Sequence, residues 1–449
     1  MSWKKLKLGE FLINRENRFK PNDKSISGLK RIDKIDFSGK IFLSEKPSNT
    51  DMILVKKGDL VISGINVEKG AMSVYQGEED VTATIHYSSY TFNEKKIDID
   101  FLKLFLRSSE FKSALKEQVP GGIKTEIKPK HLLHLEVVIP NTVSEQKEVI
   151  NSFSKLETQN FNLENELSHQ DDFLAQLRKA FLREAMQGKL VKQDKKEGNA
   201  KELLQKIKAE KEKLIAEKKL KKEKPLLPIK AEEIPFDIPE NWVWCRLGEI
   251  ALHSEAGKSY QAKEISAQEN QIGVIKTSAI TSGFFVEEEN KLLPNQNVSI
   301  DKIRIEKDDI IFCRASGSKG LAGKSCLVTN APKAKLILSD KSIRYVFSDN
   351  ISKKFIQYFN SSIFGEEYYR KLGTTKSTSM NNITREQFNN LPIPLPPLAE
   401  QKRIVKKLEE LMNLCEELKT TIADNQNYTD MLLQVALKDA LQPQAVEVA

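Results

Sequence analysis

The sequence is poor in the residues that build stapled, metallated or membrane-embedded proteins. Four cysteines, Cys245, Cys313, Cys326 and Cys415, include no Cys-x-x-Cys pair and join no His/Cys cluster at ligand spacing. That argues against a disulfide framework or a structural zinc and leaves buried or bystander thiols. The five histidines, His86, His131, His134, His169 and His253, show no nucleophile or metal spacing. No apolar run approaches the roughly 18 residues that a membrane span requires, and the opening "MSWKKLKLGEFLI" lacks the apolar core of a signal peptide. A cytoplasmic protein with no membrane partner is expected. A Rossmann-type glycine fingerprint is missing, as is an Asn/Asp-Pro-Pro-aromatic run of the kind that holds a flipped base. The nearest approach to a nucleotide loop, "SGSKGLAGKS" (316–325), ends in Gly-Lys-Ser but has Ser318 where the first glycine belongs. No catalytic residue, no metal ligand and no cofactor of its own are therefore assigned to the chain.

What is present fits a globular protein. The chain has 449 residues, enough for two or three domains, with 39% hydrophobic residues and 7% aromatics. Its net charge of +8 is unevenly spread. Residues 189–230 hold 15 Lys against 7 Asp and Glu, and the remaining 56 basic and 56 acidic residues cancel. This Lys-rich stretch reads either as a solvated helix face or as a phosphate contact.

The most informative feature is an internal repeat. "SWKKLKLGE" (2–10) parallels "NWVWCRLGE" (241–249), pairing Trp3 with Trp242 and Gly9 with Gly248. "KKGDLVISGINVEKG" (56–70) parallels "EKDDIIFCRASGSKG" (306–320), pairing Asp59 with Asp309 and Lys69 with Lys319. "SEQK" near 145 returns as "AEQK" near 400. The offset grows from 239 to 255, so the second copy carries about 16 extra residues between shared anchors. Each copy runs from short β-like segments, punctuated by Gly, Asn and Ser, into a long helix. Thr142 with Glu145 suits a capping box, and Pro396 and Pro397 suit the entry of the second helix.

The two helices share a heptad. Val149, Phe153, Leu156, Asn160, Leu163 and Leu167 are spaced like Ile404, Leu408, Leu411, Cys415, Leu418 and Ile422, the a/d seam of a coiled coil. Two such stripes in one repeated chain most simply pack as an antiparallel pair with pseudo-two-fold symmetry. Asn160 and Cys415 hold equivalent places, read as register devices. The seam continues to Phe181, about 48 Å from Val149 at roughly 1.5 Å per residue. Two modules on such a spacer could read DNA half-sites about one helical turn, or 34–36 Å, apart.

With "LPIPLPPLAEQKRIVKKLEEL" (391–411), "LRKAFLREAMQGKLV" (177–191), "KIKAEKEKLI" (206–215), "IPFDIPENWVWCRLGEI" (234–250) and "GDLVISGINVEKGAM" (58–72) in view, the chain resembles the specificity subunit of type I restriction-modification systems over essentially its whole length. The resemblance implies an α/β (α+β) architecture: two tandem pseudo-symmetric target-recognition domains, at 1–140 and 241–395, separated by two long helices in an antiparallel coiled coil. The spacer helices would be 141–188 and 396–449, with a Lys-rich helical linker at 189–240. It further implies double-stranded DNA as ligand, each domain reading one half of an asymmetric bipartite site, and two adenine-methyltransferase modification subunits docked on the helices. A restriction/translocase subunit can join, and S-adenosylmethionine and ATP/Mg belong to those partners. The rival reading is a coiled-coil scaffold that binds proteins only; a nucleotide-driven enzyme rests on the near-miss loop alone.

Candidate DNA contacts follow from residue type and loop position. "SGINVEKG" offers Asn66 and Lys69, and its counterpart offers Arg314, Ser316 and Lys319. "PGGIKTEIKPK" (120–130) and "GTTKSTSMNN" (373–382) offer Lys124 and Lys376. "IHYSSY" (85–90) and "SDKSIRY" (339–345), aligned by Tyr90 and Tyr345, offer His86, Lys341 and Arg344. Ordinary turns are the competing reading for each segment.

Overall fold

The structure, a computed structural model, describes residues 2–15, 17–37, 39–69, 71–118, 127–372 and 381–442. The chain divides into two compact units, Met1–Gln170 with Thr421–Ala449, and Asp171–Thr420.

In the first unit, Trp3–Lys7 pairs antiparallel with Glu136–Pro140 and closes the module at its base. A four-stranded sheet has the order Leu12–Asn14, Tyr87–Phe92, Leu60–Ser63, Met72–Val74. A five-stranded sheet runs Arg18–Phe19, Met52–Val55, Val81–Thr84, Arg31–Ile35, Ile41–Ser44. Two short helices, Ile99–Arg107 and Ser109–Gln118, cover the first sheet. The strand Leu60–Ser63 is buried throughout, and its period of two explains why. Leu60 and Ile62 enter the core beneath the helices, whereas Val61 enters the core shared with the five-stranded sheet.

The second unit repeats this plan. Val243–Arg246 pairs with Pro392–Leu395, and the four-stranded sheet runs Ala251–Ala256, Ser342–Phe347, Ile310–Cys313, Ser325–Leu327. Its central strand Ile310–Cys313 again alternates, with Ile310 and Phe312 in one core and Ile311 and Cys313 in the other. The parallel pair Arg31–Ile35 and Val81–Thr84 has its counterpart in Ile272–Ile275 and Lys335–Ile337. All four cysteines are buried, and three of them fill these packed layers.

The repeated Glu-Gln-Lys is an anchor for the modules. Gln146 is fully buried; its Oε1 accepts from Asp98 N at 2.7 Å, and its Nε2 donates to Pro140 O at 3.3 Å. Gln401, equally buried, accepts from Ser352 N at 2.9 Å and donates to Pro396 O at 2.9 Å. Asp98 and Ser352 are the N-caps of the first module helix in each unit. One amide thus ties the long-helix entry to the module it follows. Glu145 receives Ser2 N at 2.7 Å, and Glu400 receives Asn241 Nδ2 at 3.2 Å, so the adjacent acid repeats its task as well. The Thr142–Glu145 capping box forms, with reciprocal bonds of 3.0 and 3.2 Å.

The long helices span Val143–Met186 and Leu398–Ala440. In the first unit Val149 and Phe153 share a core with Leu437 and Leu441. In the second, Leu182, Ala185 and Met186 pack with Ile404, Val405 and Leu408, and Arg178 bridges Glu416 at 2.7 Å. As one number rises the other falls, so the helices run antiparallel, as the repeat requires. The heptad is less uniformly buried than its spacing suggests: Leu156, Leu163 and Leu418 stay exposed. Val149, Phe153, Ile404 and Leu408 join a module core, whereas Leu167, Cys415 and Ile422 are buried along the helices outside those cores. Asn160 bonds Glu164 within its own helix at 2.6 Å.

The Lys-rich stretch contains a helix, Ala200–Ala216, that is seated on the second unit. Leu203 and Ile207 enter its core, and Lys211 Nζ donates to the carbonyls of Gly248 and Ala251, each at 3.0 Å. Glu210 accepts from Ser348 Oγ at 2.5 Å.

Candidate nucleic-acid interface

Asn66, Lys69, His86, Arg314, Lys319 and Lys341 lie on connections at one end of each four-stranded sheet. In the first unit, Gly64 N donates to His86 O at 2.8 Å, and Ile127 N donates to Gly64 O at 2.8 Å. In the second, Arg314 N donates to Lys341 O at 2.9 Å, and Ile383 N donates to Arg314 O at 2.7 Å. Three connections are thereby stitched together by the same pair of backbone bonds in both units. The frame is common, but the side chains on it are not: glycine and histidine in one unit, arginine and lysine in the other.

Within that frame Asn66 is half-buried, and its carbonyl accepts from Lys69 N at 3.1 Å and Ala71 N at 3.2 Å, closing a tight turn. Lys69 and His86 are exposed. Arg314 is half-buried, and Lys319 and Lys341 are exposed. Lys124 and Lys376 lie outside the described residues. These positions supply cations and donors on one edge, the chemistry that suits phosphates and base edges.

Two expected contacts are corrected. Arg344 is buried: its guanidinium donates to Asp309 Oδ2 at 3.0 Å, Arg304 O at 2.5 Å and Lys302 O at 2.8 Å, so its charge is used inside the module. Ser316 is buried in the short strand pair Ala315–Ser316 with Asn381–Asn382, and its Oγ accepts from Ser318 N at 3.1 Å. Both strands are buried almost throughout, so a residue type that suits DNA was read without knowing that its strand has no solvent face.

The buried acids show how the modules compensate. Asp309 aligns with Asp59, which is held by Arg15 at 2.7 and 2.8 Å and by Ser89 Oγ at 2.8 Å. Arg15, just past the strand Leu12–Asn14, stands beside Ser89, and Glu255 stands beside Arg344 at the same place in the second unit. The arginine has moved from one strand to its neighbour while the aspartate stayed. Burial raises the Asp309 carboxyl, an effect the Arg344 charge opposes. Sequence reading missed this pair, although Asp59 and Asp309 occur in the aligned repeat.

The near-miss loop is not a phosphate cradle. Ser325 opens the strand Ser325–Leu327 rather than a helix and is buried, and Lys324 pairs with Glu366 at 2.5 Å. Among the described residues no group of three or more His, Cys, Asp or Glu is placed to hold a metal ion. No helix there is long and apolar enough to cross a membrane.

Fold and frame define a class: a tandem α/β protein whose two like modules are each completed by halves of the same two antiparallel helices. Residues 239–425 match the family model described as type I restriction modification DNA specificity domain. The type I restriction enzyme EcoEI specificity subunit of Escherichia coli is 38% identical over 266 residues, 59% of this chain and 44% of that protein. The EcoAI specificity subunit, also from Escherichia coli, is 30% identical over 60% of this chain and 44% of its own length. The chain therefore spans less than half the length of these curated relatives. Among solved structures, a chain from a study of complex assembly and conformational transition of the type I R-M system superposes with a TM-score of 0.66 at 16% identity, covering 98% of this chain and 97% of that one. The HsdS subunit from Thermoanaerobacter tengcongensis gives 0.55 at 16% identity, covering 98% and 96%. These two likenesses establish the fold along nearly the whole chain.

Proposed function

We propose that this chain is the DNA-specificity subunit of a type I restriction-modification complex. Each unit reads one half of an asymmetric bipartite site in double-stranded DNA, and the long helices dock two adenine-methyltransferase subunits. The observation that carries this reading is the stitched frame of three connections, repeated bond for bond in both units while its side chains differ. That is what two readers of two different half-sites need. The chain catalyses nothing itself; S-adenosylmethionine belongs to the modification subunits, and ATP and Mg to a restriction/translocase subunit that joins them in the cytoplasm.

Exposed apolar residues along the helices, among them Leu156, Phe161, Phe173 and Leu414, support protein docking there. They suit the rival scaffold reading equally, so DNA readout is the property to test. The chain is co-expressed with its modification subunit, and methyl-donor-dependent adenine methylation of random-sequence DNA is mapped. A single bipartite motif with a fixed gap, altered in one half only when 241–395 is exchanged, is expected. Methylation without a motif, or no stable complex, would favour the scaffold.

A further inference from the structure

The first unit carries an aromatic and basic patch beside the stitched frame that the readout proposal does not use. The hairpin Arg31–Ile35 and Ile41–Ser44 turns through 36–40, closed by Asp36 N to Lys40 O at 3.0 Å and Lys40 N to Asp36 Oδ1 at 2.9 Å. Gly39, at φ +89°, seats this tip against the strand Met72–Val74: a Cβ there would lie 2.9 Å from Met72 O. Phe37 at the tip is 57% exposed, and Ile65 in the neighbouring loop is 58% exposed. Lys69 Nζ stands 5.7 Å from the Phe37 ring centroid, and Lys34 and Lys40 flank Phe42 at 5.1 and 5.3 Å. The nearby carboxylates are engaged, Asp36 in closing the turn and Asp33 with Arg31 at 2.6 Å.

Large apolar side chains left in water and ringed by lysines fit a polyanion with flat hydrophobic faces between its charges. We infer that Phe37, supported by Ile65, is an apolar wedge that presses on a base step of the first half-site while Lys34, Lys40 and Lys69 meet the flanking phosphates. This inference rests on the DNA-readout proposal. The second unit supplies an internal contrast. Its equivalent connection, 276–289 between Ile272–Ile275 and Asn290–Leu292, also exposes a phenylalanine, Phe284, at 65%. That connection carries Glu287, Glu288 and Glu289, and among the described residues no cation lies over the Phe284 ring. The wedge therefore belongs to the first unit alone.

The test uses the full chain with its modification subunit and a 2-aminopurine scan of the mapped half-site assigned to the first unit. Wild type is expected to raise fluorescence at one step. Phe37→Ala should abolish that rise and lower methylation at limiting DNA by at least about 10-fold, whereas Phe284→Ala should stay within about twofold. Should Phe37→Ala lower the melting temperature, F37W decides: its activity is retained and its fluorescence is quenched by the duplex. Phe37→Ala within about twofold of wild type, F37W fluorescence indifferent to DNA, or loss of the modification subunit with DNA binding intact would each overturn the wedge. Absence of any motif in wild type would instead refute the readout proposal.

Discussion

The relocated arginine allows a rescue experiment that a purely local contact would not. Arg344→Ser leaves Asp309 buried without its cation and strips three acceptors of their donor. Breaking a buried pair by removing one partner costs about 3–5 kcal/mol. For a unit the size of Asp171–Thr420 that is about 2–4 °C per kcal/mol, or roughly 6–20 °C in all. The first unit shows that the same aspartate position is served from the adjacent strand, by Arg15 with Ser89 beside it. Glu255 occupies that place in the second unit, directly opposite Arg344. The double substitution E255R/R344S rebuilds the first unit's arrangement and should recover at least half of the loss. Calorimetry measures the recovery, and hydrogen exchange in Ile310–Cys313 and Ser342–Phe347 localises it to the second unit. A cost for Arg344→Ser below about 1 kcal/mol, or a double variant no more stable than the single, would refute the reasoning.

Other outcomes follow from the same contacts. Gln401→Ala removes the acceptor of Ser352 N and should destabilise the second unit by about 1–3 kcal/mol, read as a urea midpoint shift with unchanged slope. Glu145 is held down to about 2, chiefly by the Ser2 amide, so its contribution is complete above its ordinary 4.5 and lost as pH falls from there towards 2. Glu400 is raised by burial, so its contribution is complete below 4.5 and lost as pH rises through the folded value. Glu145→Gln and Glu400→Gln should therefore flatten urea midpoint against pH in opposite windows. Burial pushes the Cys313 thiol up to about 11 and Cys326 up to about 12, and Cys245 and Cys415 are also buried. The native protein should then show no fast thiol towards an aromatic disulfide at pH 8, with four appearing in denaturant. Lys319→Ala and Lys341→Ala should weaken binding of all duplexes alike and reduce the salt slope of the assembled complex by about 1 each.

Much of the architecture was legible because repeats are written in anchors. Trp3 and Trp242, Asp59 and Asp309, and the two Glu-Gln-Lys triplets aligned without a structure, and they occupy equivalent places in the two units. The antiparallel helices followed from the shared heptad. Loop position and residue type singled out Lys69, His86, Arg314 and Lys341 from separate segments; that backbone bonds bring their connections together was not legible there. The rest failed where a side chain's face decides. Arg344 and Ser316 carry groups that suit DNA, but each lies on a strand that is buried almost throughout. Leu156, Leu163 and Leu418 fit the apolar period yet stay exposed. The Lys-rich stretch looked like a solvated linker by composition, and its sparse apolar residues, Leu203 and Ile207, are what seat it.

The sequence alone determined the duplication, the order of elements and the helical seam, because periodicity and spacing are local properties that survive without coordinates. Tertiary structure alone decided which arginine neutralises which aspartate, why the anchor glutamine is buried, and that Phe37 stands beside Lys69. Each of those depends on strands brought together from distant parts of the chain, and pairing of that kind leaves no periodic trace in one sequence.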